Sequence, residues 1–493
     1  MSVARGIAGL LALAVLATGC SAGGEAKKDP PQSAPSPSTS GDTTGTLDWK
    51  PCDGSFQCAS LKVPLDYDEP DGEQLTLALV RRPADDPDQR VGSLLVNPGG
   101  PGGSGIDLAE NKTFPKEIQK RMDVVGFDPR GVGKSSPLDC HSHLQEMYDA
   151  DPTPSTPAER AAYLRVSKAY VGECARKEKD VLPHLGTVNV ARDMDRIREA
   201  LGEKKLNYLG YSYGTSIGQM YAQLFPTRIR TMVIDGVVNT ELTGLQAADE
   251  QAEGFYQALR GYLADCKSDS SCVLGSDPRG KVEELVAKAE AEPIPAPRAD
   301  RPATPGVVQL AIGVALYSKS SWPILSQAVD EGLKGDASRL VSMADSYLSR
   351  KPDGSYGNGF DIYFAVSCLD NAWPTSPAKV FANARATGAK DPLVGEGLVN
   401  DYVRCALWPT PPQPLPKLTA PGSPPIVVIS TTRDPATPYA SGVKVADRLP
   451  KGVLLTNDGD GHTIFAQGKA CVDDAVTRYL VEAKPPKDGL ECK

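Results

Sequence analysis

Residues 206–219 read LNYLGYSYGTSIGQ, and two overlapping Gly-x-Ser-x-Gly patterns compete within them, one centred on Ser212 and one on Ser216. The chain has 47 glycines, so the pattern alone decides little. Its surroundings decide more. A serine presented for nucleophilic attack at the top of a sheet needs an apolar strand leading into it. It also needs a turn too tight for side chains two positions to either side, and a helix starting just after. Ser212 meets these demands: LNYLG precedes it, Gly210 and Gly214 flank it, and Ile217, Met220, Tyr221 and Leu224 follow at helical spacing. Ser216 falls about one turn inside that helix. Its glycines read as small residues that allow close helix–sheet packing, which leaves Ser212 as the candidate nucleophile.

Other strands of the same kind lie on either side of this one. SLLVN (93–97), DVVGFD (123–128), RTMVID (230–235), IVVIS (426–430) and VLLTN (453–457) are short apolar runs, as expected of strands buried on both faces. SLKVPLDY (60–67) and QLTLALVRR (74–82) alternate apolar and polar residues around a Pro-Asp-Gly turn, which predicts an antiparallel hairpin. VARDMDRIREAL (190–201) puts Val190, Met194, Ile197 and Leu201 on one helical face. From about 240 to 415 the pattern changes to helix-like segments such as LQAADEQAEGFYQALRGYLADC, with a Pro-rich break at 293–305. The order predicts an α/β protein with a mainly parallel, twisted sheet. A large helical lid over 241–415 would stand before the last two core strands, dividing the sheet domain into 47–240 and 416–493.

A serine hydroxyl needs a base, and the chain offers four histidines: His141, His143, His184 and His462. A strand–turn–helix nucleophile is followed along the chain by its acid and then its histidine. Only His462 lies after Ser212, in the loop NDGDGHTIF that follows VLLTN. The acid should end the preceding strand, and IVVISTTRDPATP places Asp434 there, where it would orient the imidazole and stabilise its cation. Asp458 and Asp460 are nearer His462 in sequence, but they read as turn residues of its own loop. Thr437 is a candidate for seating Asp434. An oxyanion needs two backbone N–H donors. Tyr213, the residue after the nucleophile, supplies one. NPGGPGGSG (97–105), with five glycines in nine residues, supplies the other through Gly100, with Gly99 second. That run lacks the Lys and Ser/Thr of a phosphate-binding loop.

The totals exclude several classes. A net charge of −9 without a long basic run argues against nucleic acid and against charge-driven membrane binding. MSVARGIAGLLALAVLATGC (1–20) has a basic start, an apolar run too short to span a bilayer, and a closing Cys20. It is similar to a bacterial lipoprotein signal in which Cys20 is lipidated, the only membrane attachment expected. Residues 21–46, rich in Ser, Thr, Pro and Gly, read as a disordered tether for an exported, surface-held or secreted protein. Setting Cys20 aside leaves 10 of the 11 cysteines, an even number in an exported chain. Nearest-neighbour pairing joins Cys52/Cys58, Cys140/Cys174, Cys266/Cys272, Cys368/Cys405 and Cys471/Cys492, although spacing alone leaves connectivity open. No Cys-x-x-Cys occurs, and neither a metal nor a cofactor is expected.

NPGGPGGSG, DVVGFDPRGVGKSSP (123–137), LNYLGYSYGTSIGQMYAQLFP, TRDPATP and GDGHTIF together resemble the secreted tripeptidyl aminopeptidases and their proline-iminopeptidase relatives of the α/β-hydrolase fold. Where proline iminopeptidases carry His-Gly-Gly-Pro-Gly, Pro98 replaces the histidine, as in the tripeptidyl aminopeptidase branch. The resemblance runs from about residue 47 to the C-terminus. It implies a serine exopeptidase that removes short peptides, tripeptides among them, from free amino termini, with Ser212, Asp434, His462, Gly100 and Tyr213 in the family's roles. It also implies a lid carboxylate for the substrate's α-ammonium. FAVSCLDNAWP (364–374) resembles a lid motif of the family and offers Asp370. An esterase or lipase on the same fold, and an inactive peptide-binding surface module, are the competing readings.

Overall fold

The expected hairpin forms one edge of a ten-stranded sheet in the computed structural model, which describes residues 47–493. The signal-like segment 1–20 with Cys20 and the stretch 21–46 lie outside the described residues. In chain order the strands are β1 (Lys50–Pro51), β2 (Gln57–Pro64), β3 (Gln74–Arg82), β4 (Gly92–Asn97), β5 (Met122–Phe127), β6 (Leu206–Tyr211), β7 (Ile229–Asp235), β8 (Ile426–Arg433), β9 (Gly452–Asp460) and β10 (Leu490–Cys492). Across the sheet they run β1-β2-β3-β5-β4-β6-β7-β8-β9-β10. The pairs from β1 to the β3–β5 contact are antiparallel and the rest parallel.

Strand chemistry follows position. β3 alternates because one face is partly exposed: Leu75, Leu77 and Leu79 are buried while Gln74 and Thr76 face outward. β4 and β6 are buried along their whole length, so consecutive side chains enter opposite cores. Leu94, Val96, Leu209 and Tyr211 pack with the helices Gly105–Asn111, Lys116–Arg121 and Ala470–Glu482. Leu95, Leu206 and Tyr208 pack on the other face with Thr187–Ala200, Tyr213–Leu224 and Tyr439–Arg448.

Helices from Gly244 to Asn400 separate β7 from β8. One group of them encloses a core of its own, including Leu259, Val282, Ile312 and Leu325. Another group, with Ile362, Phe364, Val399 and Tyr402, is continuous with the core on one face of the sheet. Two features differ from the expectation. Three strands follow the helical region rather than two, because the short β10 pairs with β9 at the sheet edge, where Cys492 is bonded to Cys471. A second helical excursion, with its longest helix over Pro157–Lys177, leaves the sheet after β5 and packs against the larger one: Tyr163 and Tyr170 donate to Asp401 and Asp361. The disulfide Cys140–Cys174 closes that excursion, and Cys52–Cys58, Cys266–Cys272 and Cys368–Cys405 complete the nearest-neighbour set. No helix among the described residues is long and apolar enough to cross a membrane.

Candidate active site

The order of strands reverses between β4 and β6, and such a switch point opens a crevice at the carboxyl ends of a parallel sheet. Both strands end there. β6 runs into Ser212, whose φ of 53° and ψ of −124° lie in a region that non-glycine residues occupy only under constraint. The constraint is steric and local. A Cβ on Gly210 would stand 2.4 Å from the Gly214 carbonyl oxygen, and one on Gly214 would stand 2.9 Å from the Asn97 carbonyl oxygen. The Ser212 N–H is held by the Asp235 carbonyl at 2.9 Å. Tyr213 starts the helix Tyr213–Leu224. Ser216 lies one turn inside this helix and is buried, although it too borders the cleft.

Asp434 and His462 come together from the ends of β8 and β9. The His462 Nδ1 lies 2.9 Å from each carboxylate oxygen of Asp434. That carboxylate is fully buried and held by the N–H groups of Ala436 and Thr437 at 2.9 Å and by the Thr437 hydroxyl at 3.0 Å. Asp458 and Asp460 are strand residues of β9 and bridge to Arg433 on β8 instead of shaping a turn. The imidazole lies against Gly236, where a Cβ would sit 2.9 Å from His462 Cε1. Gly236 follows Asp235, the register partner of Tyr211, so the ring stands beside the turn that carries Ser212. Its Nε2 is buried and makes no hydrogen bond within the protein. Burial disfavours the imidazolium, but the charges of Asp434 and Asp235 outweigh it and raise the pKa of His462 above its ordinary value. His143 and His184 lie in the excursion after β5.

The sequence reading did not single out two partners of this loop. Asp235, at the tip of β7, accepts from the N–H groups of Ile464 and Phe465 at 2.9 and 2.8 Å, fixing the segment after His462. Burial pushes its carboxyl up to about 6. Tyr317, from the helical region, accepts the His462 N–H at 2.9 Å and sets its ring edge-on to the imidazole, with centroids 5.6 Å apart.

Opposite Ser212, the glycine-rich turn after β4 comes into close contact with the nucleophile. A Cβ on Gly99 would stand 2.8 Å from the Tyr213 nitrogen and 2.9 Å from Ser212 Cβ. The Gly99 N–H is committed to Asn97 Oδ1 at 2.9 Å, while Gly100 lines the cleft. The lid meets this turn directly: a Cβ on Gly102 would fall 2.1 Å from the Gly359 carbonyl oxygen.

The cleft above Ser212 encloses about 410 Å³, within the range of small-ligand sites. Tyr317, Tyr347, Phe360, Tyr363, Trp373 and Tyr402 form its aromatic walls, and Glu250 and Asp370 are its carboxylates. No Lys or Arg stands among the described residues that line it. Glu250 accepts from Ser441 and Lys444. Asp370 borders the cleft but turns its carboxyl to Thr187, accepting from the backbone N–H and the hydroxyl. Thr187 Oγ1 also lies 2.6 Å from the Tyr213 hydroxyl, so one polar chain links the lid to the residue after Ser212. Burial pushes Asp370 up to about 7, against the lowering effect of the Thr187 bonds.

Comparison with known proteins places this geometry. Residues 92–469 match the family model of the alpha/beta hydrolase fold. Serine protease Hip1 of Mycobacterium tuberculosis (strain ATCC 25618 / H37Rv) is 40% identical over 474 residues, covering 90% of this chain and 91% of that protein. Carboxylesterase B of the same strain is 37% identical over 455 residues, with 88% and 86% covered. Tripeptidyl aminopeptidase of Streptomyces lividans is 33% identical over 472 residues, with 90% and 86% covered.

Proposed function

The chain belongs to the α/β-hydrolase fold family and is a serine hydrolase, and from that premise we propose that it is a serine exopeptidase releasing short peptides, tripeptides foremost, from free amino termini. Ser212 attacks the carbonyl carbon of the scissile amide. His462 takes the hydroxyl proton through Nε2, the nitrogen left open by the Asp434 bond to Nδ1, and returns it to the leaving amine. Asp434 holds the tautomer and offsets the imidazolium charge. The N–H groups of Gly100 and Tyr213 receive the oxyanion. Water then hydrolyses the acyl-enzyme by the same sequence.

The observation that carries the choice of substrate is the charge of the cleft. It is enclosed by lid helices, and among the described residues its charged lining consists of Glu250, paired from outside the cleft with Lys444, and Asp370, whose carboxyl turns to Thr187, with no Lys or Arg in the lining itself. A free α-ammonium is the group that such a lining attracts, whereas the acyl chain of an ester gains nothing from it. The relatives named as a serine protease and a tripeptidyl aminopeptidase support the same reading. The relative named as a carboxylesterase keeps an esterase as the second reading. Five disulfides suit an oxidising compartment, and lipidation of Cys20 would hold the protein at the outer face of a bacterial membrane.

Tripeptide anilides with free and acylated amino termini, and short acyl esters, separate the readings. Cleavage of the free tripeptide anilides, with kcat/KM for the acylated ones at least tenfold lower, is expected. Turnover of esters alone establishes the esterase, and equal cleavage of free and blocked peptides removes the exopeptidase claim.

A further inference from the structure

The helix Pro305–Leu316 keeps a glycine in its interior, a position where only proline is a poorer helix former. A Cβ built on Gly313 would meet no atom within 4 Å. The space it opens on is a second cavity, of about 170 Å³, backed by Phe255, Phe364 and Leu393. On the opposite side it shares Tyr317, Tyr347, Phe360 and Tyr363 with the cleft above Ser212. These four rings form a single layer. Tyr317 meets Tyr347 at 6.1 Å, Tyr347 meets Phe360 at 5.5 Å and Phe360 meets Tyr363 at 6.0 Å, between centroids. Tyr317 in turn stands edge-on to His462. The cavity therefore lies one ring's thickness from the reacting groups.

We infer that this chamber is a side-chain pocket of the peptide site and takes one aromatic side chain, phenylalanine or tyrosine, of the peptide being released. The inference rests on the peptidase reading above. An apolar cavity of roughly 150 Å³ holds a benzene-sized ring, so the volume suits one aromatic side chain and leaves no room for two. The walls offer edges and faces to such a ring. The acid on the wall, Asp401, already accepts from Tyr163 and Arg404 at 3.0 and 2.8 Å, so it presents no open charge that would favour a lysine or arginine. Tyr347, the exposed ring of the layer, is the one that turns aside to admit the side chain. The missing side chain at Gly313 keeps the volume clear.

The full chain is assayed with Ala-Ala-Ala p-nitroanilide and with three analogues carrying one phenylalanine at each position in turn. One position is expected to raise kcat/KM by roughly tenfold to a hundredfold over alanine. Gly313→Leu, which fills the chamber, is expected to bring that ratio close to one, and Gly313→Ala to give an intermediate ratio. If the leucine variant fails to fold, the alanine variant decides. Ratios near one at all three positions of the wild type overturn the inference. So does a ratio unchanged in a Gly313 variant of undiminished melting temperature. If esters are hydrolysed and no tripeptide anilide is, the peptidase reading falls and takes the pocket's peptide role with it, an outcome distinct from equal cleavage of all four anilides.

Discussion

The carboxyl end of the sheet and the lid facing it enclose the same cleft with different materials. At the sheet end, backbone positions the candidate groups. Glycines permit the Ser212 turn, two N–H groups and a hydroxyl hold Asp434, and the Tyr317 carbonyl and Asp235 fix the His462 segment. On the lid side, aromatic rings from several helices meet mainly by ring contacts. Backbone-held groups have one working arrangement, whereas packed rings adjust. Damage at the sheet end should therefore be nearly complete for every substrate, and damage in the lid partial and dependent on the substrate.

That contrast is open to experiment. Ser212→Ala should lower kcat by roughly 10⁶ and abolish fluorophosphonate labelling, with the melting temperature retained. Residual turnover above about 1% would place the nucleophile elsewhere. Asp434→Asn should cost roughly 10⁴ in kcat, because the amide stabilises the wrong imidazole tautomer. A loss below tenfold would move the acid to another residue. In the proposed mechanism His462 works as the neutral imidazole, and its folded pKa is raised, so kcat/KM should fall on the acid side with an apparent pKa above 6.5. A full plateau extending below pH 6 would contradict the coupling to Asp434 and Asp235.

Asp370 tests the lid. Its folded pKa is raised, so its contribution to stability is fully present below the unfolded value of 3.8 and is lost as pH rises through about 7. Asp370→Asn should therefore gain on the wild type in melting temperature between pH 5 and pH 8, by a few degrees. A difference independent of pH would mean that the carboxyl is not buried as described. The smallest effect is expected of Ser216→Ala, which should keep kcat within about tenfold of the wild type. A folded but inactive Ser216→Ala would reverse the reading of the two overlapping motifs.

Much of the sheet was legible because strands buried on both faces write themselves as unbroken apolar runs, as β4 and β6 do. The meeting of Asp434 with His462 was legible for a different reason: a fixed chain order and a shortage of histidines left one base, and its place at the end of an apolar run picked out Asp434 from Asp458 and Asp460. The excursion after β5 was not read. Its long helix has no clean apolar stripe, because it packs between two partners, although Thr156 and Glu159 form a capping box that marks its start. Residue type and local pattern also missed Asp235, since an aspartate closing an apolar run looks like an ordinary strand end. The aromatic walls of the cleft were beyond the reach of local pattern altogether. Their rings come from positions as far apart as 317 and 402, and only the folded chain sets Tyr402 beside Tyr363. Asp370 was offered for the substrate's α-ammonium through the family resemblance, and it does border the cleft, but nothing in its surrounding pattern pointed to Thr187, 183 positions away, to which its carboxyl turns.

The hydrogen bond from the His462 N–H to the Tyr317 carbonyl bears on how such proteins can be rebuilt. The helical region is often treated as an interchangeable module, to be trimmed or grafted while the catalytic machinery stays behind. Here one backbone acceptor for the imidazole's own residue belongs to that module, and the core on one face of the sheet runs into it. A minimal version cut at 241 and 415 would lose the acceptor together with the apolar cover. Transplanting the region from a relative would succeed only if the donor returned a carbonyl to the same place. In this molecule, altering substrate range and preserving turnover are parts of a single engineering problem.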